Sequence, residues 1–252
     1  MCYIRFKFHL SLRETEGFFL SLMNCIDISF KAPCYTQLCR RMKKLPLPKH
    51  LLKTKHVTDI VIDTTGLKVY GAGEWRGHRY GSQKRWKKLH LALEPRSGKL
   101  VFAKMTNEHV HDTHYIEEAL QRMNRKHGRV LFDGIADSRR CYETAQKYNK
   151  RLLTLPKKGA ILRRESEYAD RNDAIRIIHG LGGDRLAKSL WGKLVGYSRR
   201  VIIESMISRW KQLFSGRLKS VCDECREIEV HLKSMMINKM VDQMATWFAR
   251  PR

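Results

Sequence analysis

Asp63, Asp133 and Glu204 are the residues of this chain whose types and settings could do chemistry together. Asp63 lies in Val61-Ile62-Asp63-Thr64-Thr65-Gly66, and Asp133 closes Val130-Leu131-Phe132-Asp133 ahead of Gly134. A strand that ends this way buries its apolar residues and turns the carboxylate to an open edge. Glu204 belongs to a helical pattern, with Tyr197, Arg200 and Lys211 on the same face. That face gathers a phenol, two cations and a carboxylate. Three such acids can hold divalent cations, which activate water and stabilise the leaving oxygen of a phosphodiester. Singly, each has a plainer reading: a turn-starting Asp or a solvated, salt-bridged helix face. Asp137 is the rival for the second acid and otherwise caps a helix beginning at Ser138. Asp133 is preferred because it ends its strand directly.

The composition fits a polyanionic substrate. Lys and Arg number 50 against 25 Asp and Glu, a formal charge of +25 over 252 residues. Such a balance implies salt-sensitive binding to phosphate backbones. With 42% hydrophobic residues the chain can bury a core, which excludes a disordered basic tail. The seven cysteines are scattered and odd in number, unlike a disulfide framework, and point to a reducing cytosol. Cys222 and Cys225 form a lone CxxC without a second pair at zinc spacing. No apolar run has the length of a membrane span, and residues 1–12 lack a cleavage site for a signal peptide.

The elements that must position these residues follow from periodicity. Residues 1–50 read as an α-helical N-terminal region, expected to bind DNA, and 43–49, with Pro46 and Pro48, as a linker. Residues 51–252 read as one α/β domain. Strands are expected at 56–64, 86–94, 99–106, 129–133 and 151–155, with Pro95-Arg96-Ser97-Gly98 as a hairpin turn. Helices are expected at 114–126, 138–148, 198–214 and 224–248. Ile228, Leu232, Met235, Met236, Met240 and Met244 make a core-facing stripe on the last. A basic, Gly-punctuated insertion with weak helical signals occupies about 156–196. The whole is a mixed five-stranded sheet flanked by helices.

Further clusters have weaker claims. Arg79, Lys84, Arg85, Lys87 and Lys88, interleaved with His78 and Trp86, suit a DNA-tracking surface. Lys157, Lys158, Arg163 and Arg164 form a second basic cluster, either a grip on flanking DNA or a solvated surface. His109, His111, Asp112 and His114 lack a distant fourth ligand, and Asp112 reads as a cap before His114. The glycines at 180–183 have no P-loop partner. Trp210 reads as core.

The spacing of Tyr197, Arg200, Glu204 and Lys211 resembles the Y-R-E-K signature of bacterial insertion-sequence transposases of the DDE type. Ile62-Asp63-Thr64-Thr65-Gly66-Leu67-Lys68-Val69-Tyr70-Gly71 resembles the first-Asp motif of their insertion-sequence-five group. Gly73-Glu74-Trp75, Trp86-Lys87-Lys88-Leu89-His90-Leu91 and Phe132-Asp133-Gly134-Ile135-Ala136-Asp137-Ser138 are similar in kind, as is Leu12-Arg13-Glu14-Thr15-Glu16-Gly17-Phe18 near the start. The resemblance implies a ribonuclease H-like fold in which Asp63, Asp133 and Glu204 bind two Mg²⁺ ions, with Mn²⁺ as a substitute. It implies cutting at the element's ends and joining of the freed 3′-OH to target DNA, with Tyr197, Arg200 and Lys211 on phosphates near the cut. The partners implied are double-stranded DNA (terminal repeats and target) and a second copy in a homodimer, in the bacterial cytoplasm at the nucleoid. Gly134-Ile135-Ala136 departs from the family pattern, the loop at 75–86 is short, and less chain precedes Leu12 than is usual. Two alternatives therefore stand beside the working transposase: an inactive, truncated remnant that only binds DNA, and a nuclease without strand transfer.

Overall fold

The computed structural model describes residues 1–45, 51, 58–69, 86–123 and 128–248, with side chains described to 244. Residues 46–49 of the linker expected at 43–49, the start of the first expected strand, and His78, Arg79, Lys84 and Arg85 lie outside the described residues.

Among the described residues six strands form one mixed sheet. They are β1 (Ile60–Val69), β2 (Trp86–Glu94), β3 (Lys99–Asn107), β4 (Gly128–Leu131), β5 (Lys150–Leu153) and β6 (Arg217–Leu218). The order is β3-β2-β1-β4-β5, with β6 paired to β1. The first three strands are an antiparallel meander, while β4 and β5 run parallel to β1. Parallel neighbours need crossovers. These carry α4 (Ile116–Leu120) between β3 and β4, and α5 (Arg139–Lys147) between β4 and β5. Helices α8 (Val201–Phe214) and α9 (Asp223–Phe248) pack with the other face. This is the ribonuclease H-like architecture that the sequence implied, with β6 as an added short strand.

Both faces of β1 are covered, which accounts for its unbroken apolar start. Ile60 and Ile62 join the core under α4 and α5, and Val61 and Leu67 the core under α8 and α9. Asp63 does not end its strand, as the sequence suggested. The ladder continues, with Thr64 opposite His90 and Lys68 opposite Trp86. Gly66 is no turn residue but leaves room for the Trp86 ring, which would lie 3.3 Å from a Cβ there.

The N-terminal helices are α1 (Cys2–Lys7), α2 (Leu12–Cys25) and α3 (Tyr35–Lys43). Ser11 and Glu14 close a capping box that starts α2. Phe6 of α1 and Leu38 and Met42 of α3 sit in the same core as the strands, so residue 50 does not divide the core. The insertion is well-formed: α6 (Ala169–Gly180) and α7 (Arg185–Leu194) pack through Ala174, Ile178, Ala187 and Trp191. On α9 the expected stripe is buried at Ile228, Leu232 and Met236, half-buried at Met235 and Met240, and exposed at Met244. Asn238 makes two hydrogen bonds with the Leu100 backbone, which anchors α9 to the edge strand β3.

His90 sits at the centre of the sheet between two hydroxyls, Thr64 Oγ1 at 2.9 Å and Thr106 Oγ1 at 2.8 Å. The Thr106 hydroxyl donates to the Asn107 carbonyl, so it accepts from His90 Nε2–H, and Nδ1 accepts from Thr64. Burial pushes the imidazole down to about 4. A folded value below the ordinary 6.5 means that stability is lost as pH falls from 6.5 towards 4. The ¹⁵N shifts of His90 should therefore stay those of the neutral Nε2–H tautomer through neutral pH and move only near pH 4.

Candidate active site

The two parallel partners of β1 leave an interval along its edge. β4 pairs with Ile60 and Val61, and β6 pairs with Lys68 and Val69. Asp63 lies between them. Because Val61 is level with Leu131, the strand direction carries Asp63 and Asp133 forward to the same level where β4 ends. Ser215 and Gly216, with φ of 67° and 55°, turn the chain from α8 back into β6, so α8 crosses this interval with its end tied to β1.

Asp133 does not end its strand, as the sequence suggested, but lies two residues past the end of β4, where it caps the short 3₁₀ turn Gly134–Ala136, its Oδ1 accepting from the Ile135 N–H at 3.1 Å. Its carbonyl accepts from the Thr154 hydroxyl, which fixes it to the end of β5. The half-buried Asp63 carboxylate accepts from the Thr64 N–H at 2.8 Å. Glu204 stands exposed on the first turn of α8. The Arg200 guanidinium joins the last two, with Nη2 2.5 Å from Glu204 and Nη1 3.9 Å from Asp63. Burial raises the Asp63 carboxyl above the usual carboxylate range. The Thr64 N–H and Arg200 pull against that rise, and the like charges of Asp133 and Glu204 add to it. Asp63 thus feels the fields of both other acids.

Tyr197 is not on the α-helix that the spacing suggested. It opens a 3₁₀ turn, Tyr197–Arg200, after Gly196, which takes a left-handed φ of 76°. Its hydroxyl donates to the Phe132 carbonyl at 3.0 Å, beside Asp133. Burial pushes the phenol up, so it remains a donor. Lys211 is exposed, and its stem lies against Gly216. The 3₁₀ turn and the first turn of α8 therefore present Tyr197, Arg200 and Glu204 near Asp63 and the segment that follows β4, while Lys211 stands two turns away.

Other candidates have different occupations. Lys87 bridges Asn107 and Asp223, and Lys88 bonds Asp112 and the Val110 carbonyl. Both ammonium groups have partners within the chain and brace the hairpin. Asp112 is not a cap; His111 caps that turn, its Nδ1 accepting from the Thr113 N–H. Asp137 caps nothing either. Its buried carboxylate pairs with Arg171 at 2.8 Å, a partner that sequence reading missed because it lies in the insertion. Trp210 is fully buried. Among the described residues no three His, Cys, Asp or Glu side chains are grouped closely enough to hold a metal ion, the CxxC and the His109–His114 region included.

A family model described as Transposase DDE domain matches residues 57–239, most of the chain. The chain belongs to this family of DDE transposases. A second model with the same description matches residues 1–72. Among solved structures, the chain is similar to the catalytic core domain of BIV integrase at 13% identity, covering 54% of this chain and 79% of that one, with a TM-score of 0.26. It is also similar to a pre-cleavage Mos1 transpososome at 10% identity, covering 82% of this chain and 59% of that one, with a TM-score of 0.27. DDE transposases are nucleases and strand transferases that act on DNA with divalent metal ions. None of the described helices is long and apolar enough to cross a membrane.

Proposed function

We propose that this DDE transposase cuts the ends of an insertion sequence of the insertion-sequence-five kind and joins the freed 3′-OH to target DNA, with Asp63, Asp133 and Glu204 holding two Mg²⁺ ions. The observation that carries the reading is the Arg200 guanidinium lying between the Asp63 and Glu204 carboxylates in the interval of the β1 edge, with the charge of Asp133 also acting on Asp63. Carboxylate oxygens are the donors that hard divalent cations take. An Asp63 carboxyl raised by burial and by two neighbouring acids is in the condition that such a cation relieves. When bound, the ions would supply an activated water or 3′-OH and stabilise the leaving oxygen.

The chain's own residues do the positioning. The strand and the Thr64 N–H aim Asp63, and the Ile135 N–H and Thr154 hold the turn that carries Asp133. Tyr197 fixes the end of β4 through the Phe132 carbonyl. Arg200, now the counter-charge of Glu204, exchanges that carboxylate for a phosphate oxygen in the DNA complex, and Lys211 takes a phosphate farther along the strand. Arg79, Lys84 and Arg85 and the N-terminal helices extend the DNA contact. Two copies bring the two element ends together, at the bacterial nucleoid.

The test uses the purified full chain, a DNA fragment bearing the repeats that flank its gene, and Mg²⁺ or Mn²⁺. Mapped 3′ ends at the repeat boundary, together with joined products, are expected. Cutting without joining would reduce the activity to that of a nuclease, and tight binding without cutting would reduce it to that of a DNA-binding remnant.

A further inference from the structure

Asp137 lies four residues beyond Asp133, and its side chain is only 2% exposed. Its carboxylate is fully employed. Oδ1 accepts from Arg171 Nε at 2.8 Å and from the Tyr142 hydroxyl at 3.1 Å, and Oδ2 accepts from the Lys157 N–H at 2.8 Å. Arg171, on the first turn of α6, also donates to the Ile161 carbonyl at 2.7 Å. Its neighbour Asn172 bonds both the N–H and the carbonyl of Arg163, at 3.1 and 2.6 Å. Three side chains thus pin the backbone of an irregular segment at residues 157, 161 and 163.

That segment carries Lys157, Lys158, Arg163 and Arg164, all exposed. It leaves the sheet just after β5, where Thr154 bonds the Asp133 carbonyl. The cations and the turn bearing Asp133 therefore share one buried anchor. A solvated basic loop needs no such clamp, because exposed backbone is satisfied by water. A buried Asp–Arg pair is weak evidence for stability, since desolvation offsets most of its attraction. What it fixes is geometry.

We propose that Asp137 and Arg171 are positioning residues that hold the basic segment 157–164, as a grip on the DNA phosphate backbone, in fixed register with Asp133. The proposal rests on the reading of Asp133 as a catalytic acid. Phosphates seated on Lys157, Lys158, Arg163 and Arg164 then place the scissile bond a set distance along the strand from Asp133. Loosening the anchor should leave overall binding largely intact but blur where, and how fast, the strand is cut.

The test compares wild type with the double variant Asp137→Leu/Arg171→Met, which replaces the pair by apolar groups of similar length. Melting temperature, affinity for the repeat DNA, cutting rate at saturating DNA, mapped 3′ ends and phosphate-ethylation interference are measured. The variant Lys157→Ala/Lys158→Ala marks which phosphates the segment contacts. The expected result is unchanged melting and affinity within about threefold, cutting slowed at least tenfold at saturation, 3′ ends spread over neighbouring phosphates, and diffuse interference at the phosphates the lysines mark. Wild-type rate, a single cut position and a sharp interference pattern would overturn it. If the double variant does not fold, Arg171→Lys decides, because it keeps the charge and drops the Ile161 bond; slower, misplaced cutting with unchanged melting supports the proposal, and wild-type behaviour overturns it. If wild-type protein binds without cutting, the activity reading fails, and the interference pattern alone decides the positioning role.

Discussion

Replacing Glu204 by Gln should slow metal-dependent cutting on the order of 10³-fold and leave DNA binding intact or tighter. The size follows from removing one acid of a set that stabilises developing charge by several kcal/mol, each factor of ten being about 1.4 kcal/mol. The direction for binding follows from Arg200. In the free protein its guanidinium is held by Glu204 at 2.5 Å. An uncharged Gln releases it for a phosphate and removes an anion that would repel the backbone. Asp63→Asn should lose cutting as heavily. Glu143→Gln is the control, since that exposed acid pairs with Arg139 on α5. The check is a single-turnover cleavage assay beside a binding titration at fixed salt. Equal cutting by wild type and Glu204→Gln would remove Glu204 from the active site.

The largest effect on stability is expected on α9. Glu229 is fully buried and accepts from Lys233 at 2.6 Å and from the Lys219 and Ser220 N–H groups. Lys233 stands 5.2–5.7 Å from the ring centres of Phe6, Trp210 and Phe214 and donates to the Arg217 carbonyl. The pair thus ties α1, α8, α9 and β6 together. Glu229→Ala leaves a buried ammonium without its counter-charge and two N–H groups without an acceptor. A loss of about 3–5 kcal/mol is expected, a drop of roughly 10 °C in Tm for a domain of this size. Glu229→Gln/Lys233→Met should recover most of it, because no charge is then stranded. Burial alone would raise the Glu229 carboxyl, but the Lys233 ammonium and the N–H donors hold it below its usual range. Burial holds the Lys233 ammonium below its own usual range despite the carboxylate. For Glu229 the sign is clear. The stability it supplies is present above its unfolded value of 4.5 and is lost as pH falls through the lower folded value. Thermal melts of both variants from neutral to acid pH check magnitude and sign.

Much of this arrangement was legible in the residues. β2 runs Trp86–Glu94 as expected, because the tight turn that follows it writes its end locally. The three proposed acids could be singled out because apolar runs lead to them. What escaped depends on partners distant in sequence. β1 continues through Gly66 by pairing with β2, and the absent side chain there makes room for Trp86. β6 is two residues long and has no period to read. Asp137 looked like a helix cap until Arg171, from the insertion, reached its carboxylate. The ion-pair partners of Lys87 and Lys88 escaped because Asp223 and Asp112 are remote from them in the chain. Leu38 and Met42 looked like parts of a separate helical region, yet they share the core with β1 and α9.

The split edge of β1 also sets the order in which this molecule becomes competent. Asp63 is made well before β6, which ties α8 to that edge. Contacts between such distant segments form late, because the loops they close carry the largest entropy. A nascent chain that has passed Asp133 therefore holds two acids and much of the sheet, but no third acid and no hook for its helix. The proposed site is closed only once residues 217 and 218 have paired with β1, after the three acids and most of the sheet have been made.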